Sequence, residues 1–172
     1  GGSFDSAITM SNNLTVSGDL ASSTSGTNNF VAGVNAGNSI VSGGNDNTCV
    51  GDEAGTAITT GDNSVAIGYR AGDAITTGSS NIAIGRDALG AEVDGNKNIA
   101  IGAGALETQS FSSSTDAYNI AIGDNAGLDL TVGERNILVG GLAGDEITDA
   151  DDFIAIGYRS GGAGASSATT GH

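Results

Sequence analysis

A five-residue motif, Asn81-Ile82-Ala83-Ile84-Gly85, returns in variants along almost the whole chain, and this return restricts the fold more than any other feature. With its closing glycine as anchor, the series runs Gly33, Gly51, Gly68, Gly85, Gly102, Gly123, Gly140 and Gly157, with spacings of 18, 17, 17, 17, 21, 17 and 17. A near-constant period held over eight units is the mark of a solenoid and not of an ordinary globular core. The reading is an all-β fold, a β-solenoid (β-roll or β-helix) of about eight 17-residue coils.

Composition agrees with a narrow, regular interior. The chain has 30 glycines, no proline, no tryptophan and 4% aromatic residues among 172, too few large side chains for a conventional core, while 38% hydrophobic content is too much for disorder. The formal net charge of −15 argues against nucleic acid or anionic lipid as partner. Divalent cations remain conceivable as weak, scattered ligands, and no metal or cofactor is assigned. The lone Cys49 excludes an intramolecular disulfide framework and a cysteine zinc cluster. No apolar run approaches the ~18 residues that span a bilayer, and no signal segment is visible.

Offsets from the anchor sort the residues into columns. Three before it stand Phe30, Thr48, Val65, Ile82, Ile99, Ile120, Ile137 and Ile154; one before it stand Ala32, Val50, Ile67, Ile84, Ile101, Ile122, Val139 and Ile156. Alternate residues of a strand share a face, so these columns form one β-branched wall, expected to line the coil interior. Three after the anchor come small residues, Ala36 to Ala143 and Ser160, fit for a tight interior corner. Seven after it, Ile40, Ile58, Ile75, Leu130 and Ile147 read as apolar plugs of a second short strand, which Gly90 and Glu92 disturb in one unit. Four before it, Asn29, Asn47, Asn81, Asn98, Asn119 and Asn136 stack about 4.8 Å apart and read as a hydrogen-bonded ladder.

The column two before the anchor, Val31, Cys49, Ala66, Ala83, Ala100, Ala121, Leu138 and Ala155, lies opposite the β-branched wall. A face in water should be polar, and this one is small and apolar. The expectation is that Cys49, Ala66, Ala83, Ala100, Ala121, Leu138 and Ala155 bury against the same strand of neighbouring chains in a closed cyclic assembly.

Three regions follow: residues 1–27, an N-terminal β segment (strands within Ala7–Leu20) and polar connector; 28–160, the repeat domain; and 161–172, a Gly/Ala/Ser-rich tail. Four extra residues between Gly102 and Gly123 fall within residues 107–118, and insertions in solenoids form loops on one face.

The segment Asp62-Asn63-Ser64-Val65-Ala66-Ile67-Gly68 resembles the repeat of the YadA-like heads of trimeric autotransporter adhesins, where three left-handed β-rolls pack side by side. Those heads repeat at a shorter period, so the likeness is of motif and not of register. In period and wording the chain is more similar to tandem repeats of bacteriophage tail fibres, carried here by Asn47-Thr48-Cys49-Val50-Gly51 through Thr59-Thr60-Gly61 and by Asn13-Leu14-Thr15-Val16-Ser17-Gly18-Asp19-Leu20. The resemblance implies a homotrimeric structural and adhesive segment of a virion tail fibre, extracellular, meeting a host surface glycan or protein. The alternative is the head of a bacterial surface adhesin.

Catalysis finds little support in the residues. The single histidine is His172, at the end of the sequence, so a nucleophile–histidine pair has no anchored base. Carboxylate pairs at Asp52-Glu53, Asp145-Glu146 and Asp151-Asp152 are the only basis for a glycan-cleaving β-helix. Thr59, Thr76, Thr131 and Thr148 begin an ice-binding array that Val93 and Ser110 interrupt. The candidate receptor contacts are Tyr69, Arg70, Phe111, Tyr118, Tyr158 and Arg159, aromatic and arginine residues of the kind that dominate contact surfaces.

Overall fold

The structure is a computed structural model and describes residues 24–162. The N-terminal strands expected within Ala7–Leu20 and nearly all of the tail lie outside the described residues. In chain order the strands are β1 (Phe30–Ala32), β2 (Thr48–Val50), β3 (Val65–Ile67), β4 (Ile82–Ile84), β5 (Gly95–Asn96), β6 (Ile99–Ile101), β7 (Thr115–Asp116), β8 (Ile120–Ile122), β9 (Ile137–Val139) and β10 (Ile154–Ile156). Eight of them form one parallel sheet in the order β1-β2-β3-β4-β6-β8-β9-β10, and β5 pairs with β7. Each coil contributes one rung, giving a β-solenoid of about seven turns.

Register follows the anchors without slippage: Ile82, Ala83 and Ile84 pair with Ile99, Ala100 and Ile101. The same register is kept across the insertion, where Ile99 pairs with Ile120. The rungs are only three residues long because the anchor glycine turns the chain. Gly85 has φ +133, and a Cβ there would come within 2.4 Å of the Gly102 carbonyl oxygen in the next coil. Only glycine combines that φ with that approach. Between rungs the backbone still bonds from coil to coil, as in Thr59 N–H to the Thr76 carbonyl (2.9 Å) and Gly72 N–H to the Ala88 carbonyl (2.9 Å). Tight irregular backbone is thus satisfied by its neighbour in the stack. The plug residues Ile58, Ile75 and Leu130 are fully buried as expected, but they follow turns and form no second strand.

The inside and outside of the rung are the reverse of the sequence expectation. Cys49, Ala83, Ala100, Ala121 and Leu138 are 0% exposed within their own chain, and Ala66 and Ala155 nearly so. They are core, not a stripe offered to a neighbour. The β-branched columns point outward: Ile82, Ile84, Ile99 and Ile101 are half-buried, while Phe30, Ile67, Ile122, Ile154 and Ile156 are exposed. Volume explains the inversion. Across the coil interior the rung faces the alanine column Ala54, Ala71, Ala88, Ala105, Ala126 and Ala143 and a single plug, a narrow space that a methyl group fills in most coils and a leucine only at Leu138.

Interior volume is matched locally. Four residues past the anchor most coils carry glycine, because a Cβ at Gly72 would lie 2.9 Å from Ile75 Cδ1, and one at Gly127 or Gly144 would lie 2.6 or 2.8 Å from a Leu138 methyl. In two adjacent coils this position holds Leu89 and Leu106 instead, both fully buried at φ 50, and there the plug positions hold Glu92 and Gln109. The leucine supplies the apolar volume that the plug no longer does.

Candidate functional site

The outer face of the eight-stranded sheet is the most extended surface of one chemistry. Its two columns present β-branched and apolar side chains at one per coil, and no rung residue is charged, although the chain carries −15 overall. Rungs of a parallel sheet are ~4.8 Å apart, so the stripe runs the length of the stack with fixed spacing. Five of its residues, Phe30, Ile67, Ile122, Ile154 and Ile156, are exposed, so the stripe is a contiguous open apolar patch of the kind that marks an interaction surface.

The six candidate receptor contacts do not converge. Phe111 is 7% exposed, buried where the insertion leaves but outside the hydrophobic cluster of the coil, and is no surface residue; this corrects its assignment. Tyr69-Arg70 and Tyr158-Arg159 both follow their anchors, but β3 and β10 are five rungs apart, about 24 Å at the rung spacing. Tyr118 precedes its rung and so sits at the other end of the strand. The rings of Tyr69, Tyr118 and Tyr158 are exposed. Their cations are largely engaged within the chain. Arg70 Nε donates to Asp73 (2.8 Å), with Glu53 and Asp87 within 4 Å, and the Asp73 hydrogen bond raises the guanidinium's already high pKa. Arg159 lies 5.6 Å from the Tyr158 ring centre and lines an open cleft of about 400 Å³ with Asp145, Glu146 and Gly162. Lys97 Nζ sits 5.0 Å from the Tyr118 ring centre and bonds both its hydroxyl and Asp116, which pushes the ammonium up to about 12.

Several polar residues singled out in the sequence have structural partners. Asp152 takes two hydrogen bonds from Arg135, which hold its carboxyl below the usual range, and Asp151 Oδ1 accepts the Glu134 N–H at 2.8 Å. Thr59, Thr76 and Thr131 donate their hydroxyls to carbonyls of the next coil, so these three are not free to order water. Among the described residues no group of three or more His, Cys, Asp or Glu is placed to hold a metal ion, and no helix is long and apolar enough to cross a membrane.

The asparagine ladder is present, in a form more binding than amide stacking. Each side-chain carbonyl accepts the backbone N–H of the equivalent residue one coil on: Asn29 from Asn47, Asn47 from Ser64, Asn81 from Asn98, Asn119 from Asn136 and Asn136 from Phe153. The amide nitrogen donates to a carbonyl fourteen residues later, as Asn81 Nδ2 does to Gly95 at 2.7 Å. Among the described residues Asn98 Nδ2 is the one buried side-chain amide nitrogen without a partner, because its fourteenth residue, Ser112, is in the insertion.

Two features escaped the sequence reading. A second ladder, six residues before the anchor, runs in the opposite direction. There Thr27, Asn45, Ser79 and Glu134 donate backbone N–H groups to Asn45, Asp62, Asn96 and Asp151 side chains of the following coil. Its Asn, Asp and Ser content was the available signal. The other is a buried polar chain, Glu92-Gln109-Asn119, signalled by leucine replacing glycine four residues past the anchor in the two coils that lack an apolar plug.

Compared with family models, curated proteins and solved structures, the chain matches none of them.

Proposed function

We propose that this chain is a structural and adhesive segment of a bacteriophage tail fibre, non-enzymatic, built as a homotrimer and acting at the surface of the virion. The carrying observation is the uncharged, β-branched outer face of the sheet, repeated rung by rung on a stack that is otherwise acidic and hydrogen-bonded to itself. A face with rungs at fixed spacing is best matched by the same face of another copy, and closed cyclic symmetry lets identical stripes bury one another without an open edge. The interchain contact therefore passes to Ile82, Ile84, Ile99, Ile101 and their equivalents in place of the alanine column. Contact through the charge-free stripe also keeps the acidic surfaces of the copies apart.

Such a rod spaces and displays. Three copies of each exposed tyrosine, held rigidly, would gain avidity for a host glycan or protein though each contact is weak. The resemblance to tail-fibre repeats supports the virion setting over the bacterial adhesin head. The test is the sequence of the gene on either side of this segment and of its neighbours. Tail or baseplate genes are expected; a membrane-anchor domain in the same chain would replace the fibre reading with the adhesin one.

A further inference from the structure

Near-identical coils raise a problem of register. A rung that pairs with the wrong neighbour, one repeat along, would recover most of its hydrogen bonds and contacts, so pattern alone specifies pairing weakly. Among the described residues, one buried polar cluster beside the insertion is not repeated in other coils. Glu92 and Gln109 occupy plug positions of adjacent coils, fully buried, and Glu92 Oε2 accepts Gln109 Nε2 at 2.7 Å. Glu92 Oε1 accepts the N–H groups of Val93 (2.9 Å), Gly95 (2.7 Å) and Phe111 (3.2 Å), and Gln109 Oε1 accepts Asn119 Nδ2 at 2.8 Å.

We propose that Glu92, Gln109 and Asn119 form a register key: a buried, directional hydrogen-bond chain that fixes which coils pair and where the inserted loop leaves the stack. Glu92 reaches both sides of the irregularity, the turn at Gly95 that pairs with Thr115 and the loop backbone at Phe111. A Cβ at Gly95 would lie 2.6 Å from the Glu92 carboxylate, so the glycine is part of the seat. In any shifted register the carboxylate would face an isoleucine or leucine plug, keeping the Val93 and Gly95 N–H groups of its own turn but losing the Gln109 and Phe111 donors, at a cost that an apolar pair would not impose. The key thus trades stability for specificity, as single buried polar residues do in other repetitive packings.

Direction is set from one end. Asn119 cannot turn its amide over, because its Oδ1 accepts Asn136 N–H and its Nδ2 also donates to Gly133. Gln109 must therefore present oxygen to Asn119 and nitrogen to Glu92, and position 92 must present oxygen. Glu92→Gln brings two donors together and Gln109→Glu brings two carboxylates together, while the exchange Glu92→Gln with Gln109→Glu restores donor to acceptor at every link with the same single charge.

The test is thermal unfolding of these three variants at one chain concentration, with amide hydrogen exchange across residues 107–118. Each single substitution is expected to lower Tm by roughly 5–10 °C and to speed exchange in the loop, or to leave the protein unfolded, and the exchanged pair to recover most of both. An exchanged pair no more stable than the singles overturns the directional chain. A fourth variant, Leu89→Gly, Glu92→Ile, Leu106→Gly and Gln109→Ile together, gives both coils the glycine and apolar plug of the others while keeping the insertion. It is expected to fold at least as stably yet to show more than one set of amide resonances; a single native set would overturn the register role.

Discussion

Ala100→Leu is the sharpest probe of how interior volume is shared. In its own coil and the one before, the residues four past the anchor are Leu106 and Leu89, both fully buried. The equivalent pair around Leu138 is Gly127 and Gly144, whose absent Cβ atoms would lie 2.6 and 2.8 Å from its methyl carbons. A leucine side chain is thus native to this column where two glycines flank it and excluded where two leucines do. Three added carbons at position 100 have no free volume, and overpacking of this kind costs about 1–3 kcal/mol. The same leucine at Ala66, flanked by Gly55 and Gly72, should cost less than half as much. Adding Leu89→Gly and Leu106→Gly to Ala100→Leu should recover most of the loss, since it also removes two left-handed leucines that each carry on the order of 1 kcal/mol of strain. Urea unfolding followed by circular dichroism at one fixed chain concentration reads these differences, because any self-association would make the midpoint concentration-dependent. Equal stability of Ala100→Leu and Ala66→Leu, or no recovery in the triple variant, would refute the volume rule.

Two further outcomes follow from buried groups. Asn81→Ala removes the acceptor for Asn98 N–H and the donor to the Gly95 carbonyl, both buried, and should cost about 2–4 kcal/mol; Asn98→Ala, whose Nδ2 is unpartnered, should cost about 1 kcal/mol less by the same unfolding assay. Burial pushes the Cys49 thiol up to about 11 from 9.0, so the folded state holds its proton longer than the unfolded state. The resulting stability is complete below pH 9 and lost as pH rises toward 11, by about 2–3 kcal/mol. Cys49→Ala, which matches five other coils, should be nearly neutral at pH 7 and lack that loss when unfolding is compared at pH 8 and pH 11.

The period, the stacked solenoid and the asparagine ladder were legible in the residues, since each rests on identity at a fixed offset, whereas the second strand expected at the plug positions does not form. The facing of the rung was misread. Hydropathy ranks isoleucine above alanine for burial, but a seventeen-residue coil closes around so little space that Ala83 fills the inside and Ile82 and Ile84 must go out. The companion column Ala71, Ala88 and Ala105 carried that information, being equally small. Phe111 was read as surface because it lies in an insertion, whereas the Glu92 carboxylate draws its N–H inward. The second ladder was invisible as a function because its Asn, Asp and Ser side chains are also what a solvated turn would carry.

The interchain face is the central claim, and sedimentation equilibrium tests it most directly on the wild-type protein and on Ile84→Asp with Ile101→Asp. The wild type is predicted to sediment at three times the chain mass at micromolar concentration, and the double variant at one chain mass with an unchanged β spectrum; Ala83→Asp, by contrast, should unfold the coil. A monomeric wild type, or a double variant that stays trimeric, would contradict the account.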